Sequence, residues 1–291
     1  MSFLRAVGGA LAHARPALIA VAVALHLAGL LVTGERWRLV VAALGGRLTL
    51  LRSTLINLAG IFVRNATPTT GLGGDASRIA LLRAEGVGLT QAAASFVYVR
   101  LAEVPALAAV VLLALPTVGA LAARSARSIA IALAIVMLAL GIAWISRHRL
   151  RARLDALRDR SAGIRIGAGT CAAAVAYASI AQAETIVRQI VVAAAFGLPL
   201  TVAQSATVTA LGIAGGLVPT VGSVGAIEGS MVAGLMLCGA PADTAVAITL
   251  VERAISYGLS TALGAGALGV LGGRAILRLA AGRGGNAVTA G

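Results

Sequence analysis

Pro68-Thr69-Thr70-Gly71-Leu72-Gly73-Gly74-Asp75 and Pro219-Thr220-Val221-Gly222-Ser223-Val224-Gly225-Ala226-Ile227-Glu228 are two versions of one segment. Pro68, Thr69, Gly71 and Gly74 recur at the same offsets as Pro219, Thr220, Gly222 and Gly225. Two extra residues in the second version bring Asp75 into register with Glu228. From there the spacing is identical: Gly86 and Gly239 follow eleven residues on, Arg100 and Arg253 twenty-five residues on. A duplicated, Gly-interrupted segment in an apolar chain is the usual pointer to the binding site of a transporter built from repeats.

The surroundings are apolar enough for that reading. The 291 residues are 59% hydrophobic and 12% charged, about half the charged share of a soluble domain. Runs of about 20 apolar residues, the length that crosses a bilayer core, fall at Leu11–Thr33, Thr90–Leu115, Ile129–Ser146, Gly167–Phe196 and Asp243–Leu271. Shorter apolar stretches flank each repeat. The expected fold is an all-α polytopic membrane protein of about five full spans plus two Gly/Pro-broken re-entrant helix hairpins. It forms a single transmembrane domain over 1–281, with repeat copies at about 48–115 and 200–271 and a disordered tail over 282–291. Leu30–Gly34 offers no small-x-small cleavage site, so the first run reads as an uncleaved span.

Composition also excludes. The net charge of +14 comes entirely from arginine, with no lysine, which removes Schiff-base chemistry. Nucleic-acid binding would need a solvated basic face, which this apolar chain does not offer. Cys171 and Cys238 lie in separate apolar segments, and His13, His26 and His148 form no ligand pair; neither a metal nor any cofactor is expected.

Arginine placement sets the orientation. Arg147–Arg165 holds seven arginines and reads as a cytoplasmic linker. Working outward, sixteen arginines fall on that side, Arg36, Arg38, Arg52, Arg78 and Arg83 among them, and four on the other. Three spans then separate the two copies, so the second enters from the opposite face and the repeat is inverted. Glu35–Leu44, with Arg36 and Trp37, reads as an interfacial elbow.

Pro and Gly in succession stop a membrane helix, and the freed backbone is tolerated only beside protein or a water-filled cavity. Pro68, Gly71, Gly73 and Gly74 make one such break; Pro219, Gly222 and Gly225 make the other. A helix restarting at Asp75 or Ala226 aims free N–H groups at an anion. A lipid headgroup phosphate suits the place, with Arg100 and Arg253 supplying charge in bidentate geometry. Asp75 and Glu228 pair with those arginines when the site is empty and are the candidate proton carriers. An ion pair that merely pins two halves together explains each pair singly; duplication at identical spacing, and the cost of intramembrane charge, favour function. Glu184 and Arg188 share a helical face and read as structural unless they line the cavity. Glu103 and Glu252 are read as tuning the neighbouring Arg100 and Arg253. Arg64 and Asn65 belong to the site or snorkel to an interface. The glycines of Gly258–Gly273, including the Gly269–Gly273 pair, are assigned to helix packing.

The order of these features resembles the flippase-like family typified by the membrane domain of lysylphosphatidylglycerol synthases. Arg36-Trp37, Asn65–Pro68 into Gly73–Arg78, Ala92–Ala94 leading to Arg100-Leu101, and Pro219–Glu228 to Glu252-Arg253 carry the likeness. The resemblance implies a bacterial inner-membrane protein that moves lipids between leaflets, and adds Arg78 to the substrate-binding set. The second turn, P-T-V-G-S-V-G, is less Gly-rich than the P-G-G type the family leads one to expect. No aminoacyl-transferase domain follows Leu271, so the chain is not expected to make lysylphosphatidylglycerol itself. The expected function is translocation of an anionic phospholipid or lipid-linked precursor, without enzymatic turnover. The alternative is a non-transporting accessory to lipid-synthesis enzymes of the hopanoid or glycolipid kind.

Overall fold

Helix boundaries follow local chemistry. In the computed structural model, which describes residues 2–67, 72–122, 166–216 and 225–285, α1 (Ser2–Ala12) stops before Pro16 opens α2 (Pro16–Ala43). Proline suits that first-turn position because its missing N–H would be unpaired there anyway. Thr49 caps α3 (Leu50–Ala66) by accepting from the Arg52 N–H at 3.3 Å. Thr201 and Gln204 close a reciprocal capping box on α7 (Val202–Gly215). Between them lie α4 (Leu72–Ala84), α5 (Leu89–Ala122) and α6 (Ala168–Ala195). α8 (Ala226–Leu237) and α9 (Ala242–Arg253) follow. A π-helical turn (Ala254–Leu259) then joins α9 to α10 (Ser260–Gly285). Gly86 and Gly239, eleven residues beyond the paired carboxylates, end α4 and α8 with φ of 89° and 95°. Only glycine takes that conformation without cost, so the duplicated spacing marks duplicated helix ends.

Among the described residues, four helices are long and apolar enough to cross a membrane: Pro16–Ala43, Leu89–Ala120, Ala168–Ala195 and Ala242–Gly272. Large apolar side chains such as Leu31, Leu112, Ile180 and Val270 point outward from them, as a lipid-facing surface requires. No strand occurs among the described residues. The expected span Ile129–Ser146 and the linker Arg147–Arg165 lie outside those residues, as do Pro68, Gly71, Pro219, Gly222 and the last six residues of the expected tail. The first residues of that tail are not a break: α10 continues to Gly285.

Three expectations need correction. Glu35–Leu44 is not an elbow, because α2 runs unbroken to Ala43. Glu35 accepts both Arg38 hydrogen bonds, at 2.6 and 2.5 Å, and Arg36 is buried at 4% exposure, so this polar run lies within the helix. Arg78 is likewise buried and cannot serve as a solvated cytoplasmic charge. Finally, among the glycines of Gly258–Gly273 close packing holds at Gly264, whose Cβ would strike the Leu58 carbonyl and lie 2.8 Å from Phe62 Cβ, but not at Gly269, where a methyl group meets nothing within 4 Å among the described residues.

α2 and α6 run antiparallel. The Arg15 N–H donates to the Ala195 carbonyl at 3.0 Å, and Gly29 faces Glu184 further along. Their opposite ends feed two apolar cores. One gathers Val40, Val41, Ile56, Leu82 and Val99 around α3, α4 and α5. The other gathers Ala22, Val192, Val208, Leu235 and Ile248 around α7, α8 and α9. Each helix pair flanking a break is antiparallel and tightly packed. A Cβ on Gly74 would lie 2.5 Å from the Gly60 carbonyl and 2.7 Å from Arg64 Cβ, and one on Gly215 2.5 Å from the Ala226 carbonyl. The first arm of each pair then packs on the long helix that follows the other pair: α3 on α10, α7 on α5.

Candidate functional site

The first carboxylate sits in the first turn of α4. That helix starts at Leu72 rather than at Asp75, so Gly73 and Gly74 are helical and Gly74 serves the crossing with α3. Asp75 Oδ1 accepts from Arg78 at 2.7 Å and from Arg100 at 3.2 Å; Arg100 also reaches Oδ2 at 3.3 Å. Arg100 turns its other nitrogen to Glu103 at 2.9 Å, and Glu103 accepts from Arg36 at 2.7 Å. An alternating chain of charge, Arg78–Asp75–Arg100–Glu103–Arg36, thus joins α4, α5 and α2. The Arg100 side chain keeps 40% exposure, so it is held but still accessible.

The second carboxylate, Glu228, lies in the first turn of α8. Its Oε2 accepts the Gly225 backbone N–H at 2.6 Å, and its Oε1 accepts Arg253 Nε at 2.6 Å. The carboxylate therefore occupies a helix N-terminus and a guanidinium at once, which is the donor set suited to a phosphate. Arg253 Nη2 is buried without a hydrogen-bond partner among the described residues. Both motif arginines also lie over an aromatic ring four residues away: Arg100 over Phe96 at 5.4 Å, and Arg253 over Tyr257 of the π-helical turn at 4.8 Å. Such cation–π contact holds a guanidinium in place while leaving its edge free for other partners.

The two motifs meet at the end of α3. Tyr257 donates from its hydroxyl to the Asn65 carbonyl at 3.3 Å, and Asn65 Nδ2 donates to Thr261 at 2.8 Å. The exposed Arg64 interacts electrostatically with Arg100, Asp75 and Glu103 of one copy and with Arg253 of the other. Asp75, Arg78 and Arg100 are thus in direct contact, and so are Gly225, Glu228 and Arg253. No hydrogen bond or ion pair among the described residues joins one carboxylate–arginine pair to the other.

Sequence reasoning missed three links. Arg36 belongs to the first charge chain through Glu103. Asn65 joins α3 to α10. Glu252 interacts electrostatically with Arg253, its neighbour in sequence, but its hydrogen bond comes from Arg188, accepted at 2.6 Å from 64 positions away. Arg188 also donates to Glu184 at 2.7 Å, and this pair does line a pocket, shared with Arg36 and Glu103. The polar runs around Arg36 and Arg188 were visible in the sequence, but their spacing alone assigns no partner on another helix.

A family model described as the lysylphosphatidylglycerol synthase TM region matches residues 1–264. No curated protein and no solved structure matches the chain.

Proposed function

The chain belongs to the lysylphosphatidylglycerol synthase TM-region family, and from that premise we propose that it is a lipid translocase of a bacterial inner membrane. Its substrate is a phospholipid or lipid-linked precursor with an anionic headgroup, which crosses between two inverted repeats while its tails stay in the bilayer. The observation that carries this reading is the repeated placement of a helix-start carboxylate against an arginine twenty-five residues later, in both copies. Asp75 and Glu228 act as resident anions. An incoming phosphate displaces each from its arginine, and the freed carboxylate is the candidate proton carrier. Pro68, Gly71, Gly73, Gly74, Pro219, Gly222 and Gly225 shape the two breaks, and Arg78 retains Asp75 when Arg100 lets go.

The reciprocal packing supports the inversion. Leu58 lies against Gly264; a two-fold relation between the copies maps that contact onto Thr209 and Val111. Close by, Thr207 Oγ1 donates to the Ala114 carbonyl at 3.4 Å, and Val110 and Ala210 share one apolar cluster. The re-entrant reading of the two hairpins rests on their short arms and tight glycine crossings.

Native mass spectrometry of lipids retained by the purified protein, beside an Arg100→Gln/Arg253→Gln variant, tests the site. An anionic lipid kept by the parent and lost by the variant, together with faster flipping of that lipid in parent liposomes, is the expected result. Equal, unselective retention by both proteins would overturn it and leave the accessory role, beside lipid-synthesis enzymes, as the better account.

A further inference from the structure

A pocket between α2, α5 and α6 has a volume of about 240 Å³. That is below the roughly 300–1,000 Å³ of sites for drug-sized ligands, so it admits a headgroup-sized moiety and not a whole lipid. Its lining is charged, with Arg36 and Glu103 on one side and Glu184 and Arg188 on the other. At one end a single carboxylate, Glu103, serves two guanidinium groups, Arg36 at 2.7 Å and Arg100 at 2.9 Å. At the other end a single guanidinium, Arg188, serves two carboxylates, Glu184 at 2.7 Å and Glu252 at 2.6 Å. Arg100 and Glu252 stand behind the lining, so the bias toward a cation at one end and an anion at the other comes from this second layer, at mid-length of two antiparallel spanning helices.

One lining side chain holds an unused polar atom: Arg36, with only 5% exposure, has an Nε that lacks an acceptor among the described residues. Leaving such an atom unpaired is costly in an apolar setting, and a ligand or its water supplies what it lacks. Gly29 makes the space: a Cβ there would lie 2.8 Å from Glu184 Oε2.

We propose that this pocket binds a small zwitterionic group, its anionic part toward Arg36 and its ammonium toward Glu184. The chemistry is shared by a free phosphodiester zwitterion and by the headgroup of a zwitterionic phospholipid. The pocket lining includes none of Asp75, Arg100, Glu228 and Arg253, although Glu103 also holds Arg100, and the proposal does not depend on whether the protein transports anything.

The test has two arms and uses the intact protein in nanodiscs. Calorimetry compares glycerophosphoethanolamine with glycerol 3-phosphate, which lacks the ammonium. Native mass spectrometry compares retention of phosphatidylethanolamine with that of phosphatidylglycerol from an equimolar mixture. The parent should prefer the zwitterion in at least one arm. A preference in the first arm alone identifies a free solute, and in the second alone a lipid headgroup. Glu184→Gln, shown by its unfolding midpoint to be folded, should reduce that preference about tenfold or more, the loss of one charge-assisted hydrogen bond. Gly29→Ala, which displaces the same carboxylate without changing the charge count, should reduce it as well and carries the test should Glu184→Gln not fold. No preference by the parent in either arm, or an undiminished preference in a folded variant, overturns the proposal. Because the readout is binding selectivity, a failure here leaves the translocation reading untouched, and absence of flipping leaves this site untouched.

Discussion

Gly74 and Gly264 are places where one helix passes another with no room for a methyl group. Adding Cβ at Gly74 brings it against the Gly60 carbonyl, and at Gly264 against the Leu58 carbonyl. Backbone cannot swing aside as a side-chain tip can, so Gly74→Ala and Gly264→Ala should each destabilise by about 1–3 kcal/mol, the usual cost of overpacking. Gly269→Ala, with open space around it, should leave the unfolding midpoint in detergent where it was; equal behaviour of all three would refute the assignment. Arg188 makes a different case. Its removal as Arg188→Leu leaves Glu184 and Glu252 facing one another in an apolar setting, a loss of about 3–5 kcal/mol by analogy with other broken buried pairs. Neutralising Glu252 in the same protein should restore part of that stability, and a double variant no more stable than Arg188→Leu would speak against the pairing.

α3 and α10 are tied by side chains that no short-range pattern reveals. Asn65 bonds Thr261, whose hydroxyl in turn donates to the Tyr257 carbonyl at 2.6 Å. Asn65→Ala and Thr261→Val should each cost about 1 kcal/mol, and the double variant should cost clearly less than their sum because the two share one bond. Additive losses in thermal unfolding would show that they act separately. What the sequence made legible were the features that break a helix: Gly86 and Gly239 end α4 and α8, and the second helix restarts at Ala226 as the spacing indicates. Less legible was anything that depends on a second helix. The charged run Glu35–Arg38 looks like an interface until Glu103 is seen to receive Arg36, which lets α2 continue. Glu252 seems to belong to Arg253, yet consecutive helical residues point about 100° apart, and its partner comes from α6 instead. Half of the proposed lipid site, its two break turns, depends on residues outside those described, and there the spacing of Pro and Gly is still the whole argument.

At the scale of the molecule, the inverted arrangement predicts that the two helix pairs open to opposite sides of the membrane. With Cys171 and Cys238 replaced by serine, Ala84→Cys at the end of α4 and Ala242→Cys at the start of α9 should react with an impermeant thiol reagent from opposite faces. Labelling of both from one face would exclude the inversion. The long helices after each pair carry one more correspondence. Pro105 interrupts α5 five residues beyond Arg100, removing the N–H that the Leu101 carbonyl would otherwise accept. At the matching place in the second half stands Gly258, inside the π-helical turn Ala254–Leu259, where the ladder of hydrogen bonds is again irregular. The two residues share no chemistry. What the halves share is a softened joint immediately beyond the arginine, obtained once by deleting a donor and once by widening a turn. A duplication traced letter by letter stops at Arg100 and Arg253; traced by where the hydrogen-bond ladder is interrupted, it runs on past them to Pro105 and the turn around Gly258.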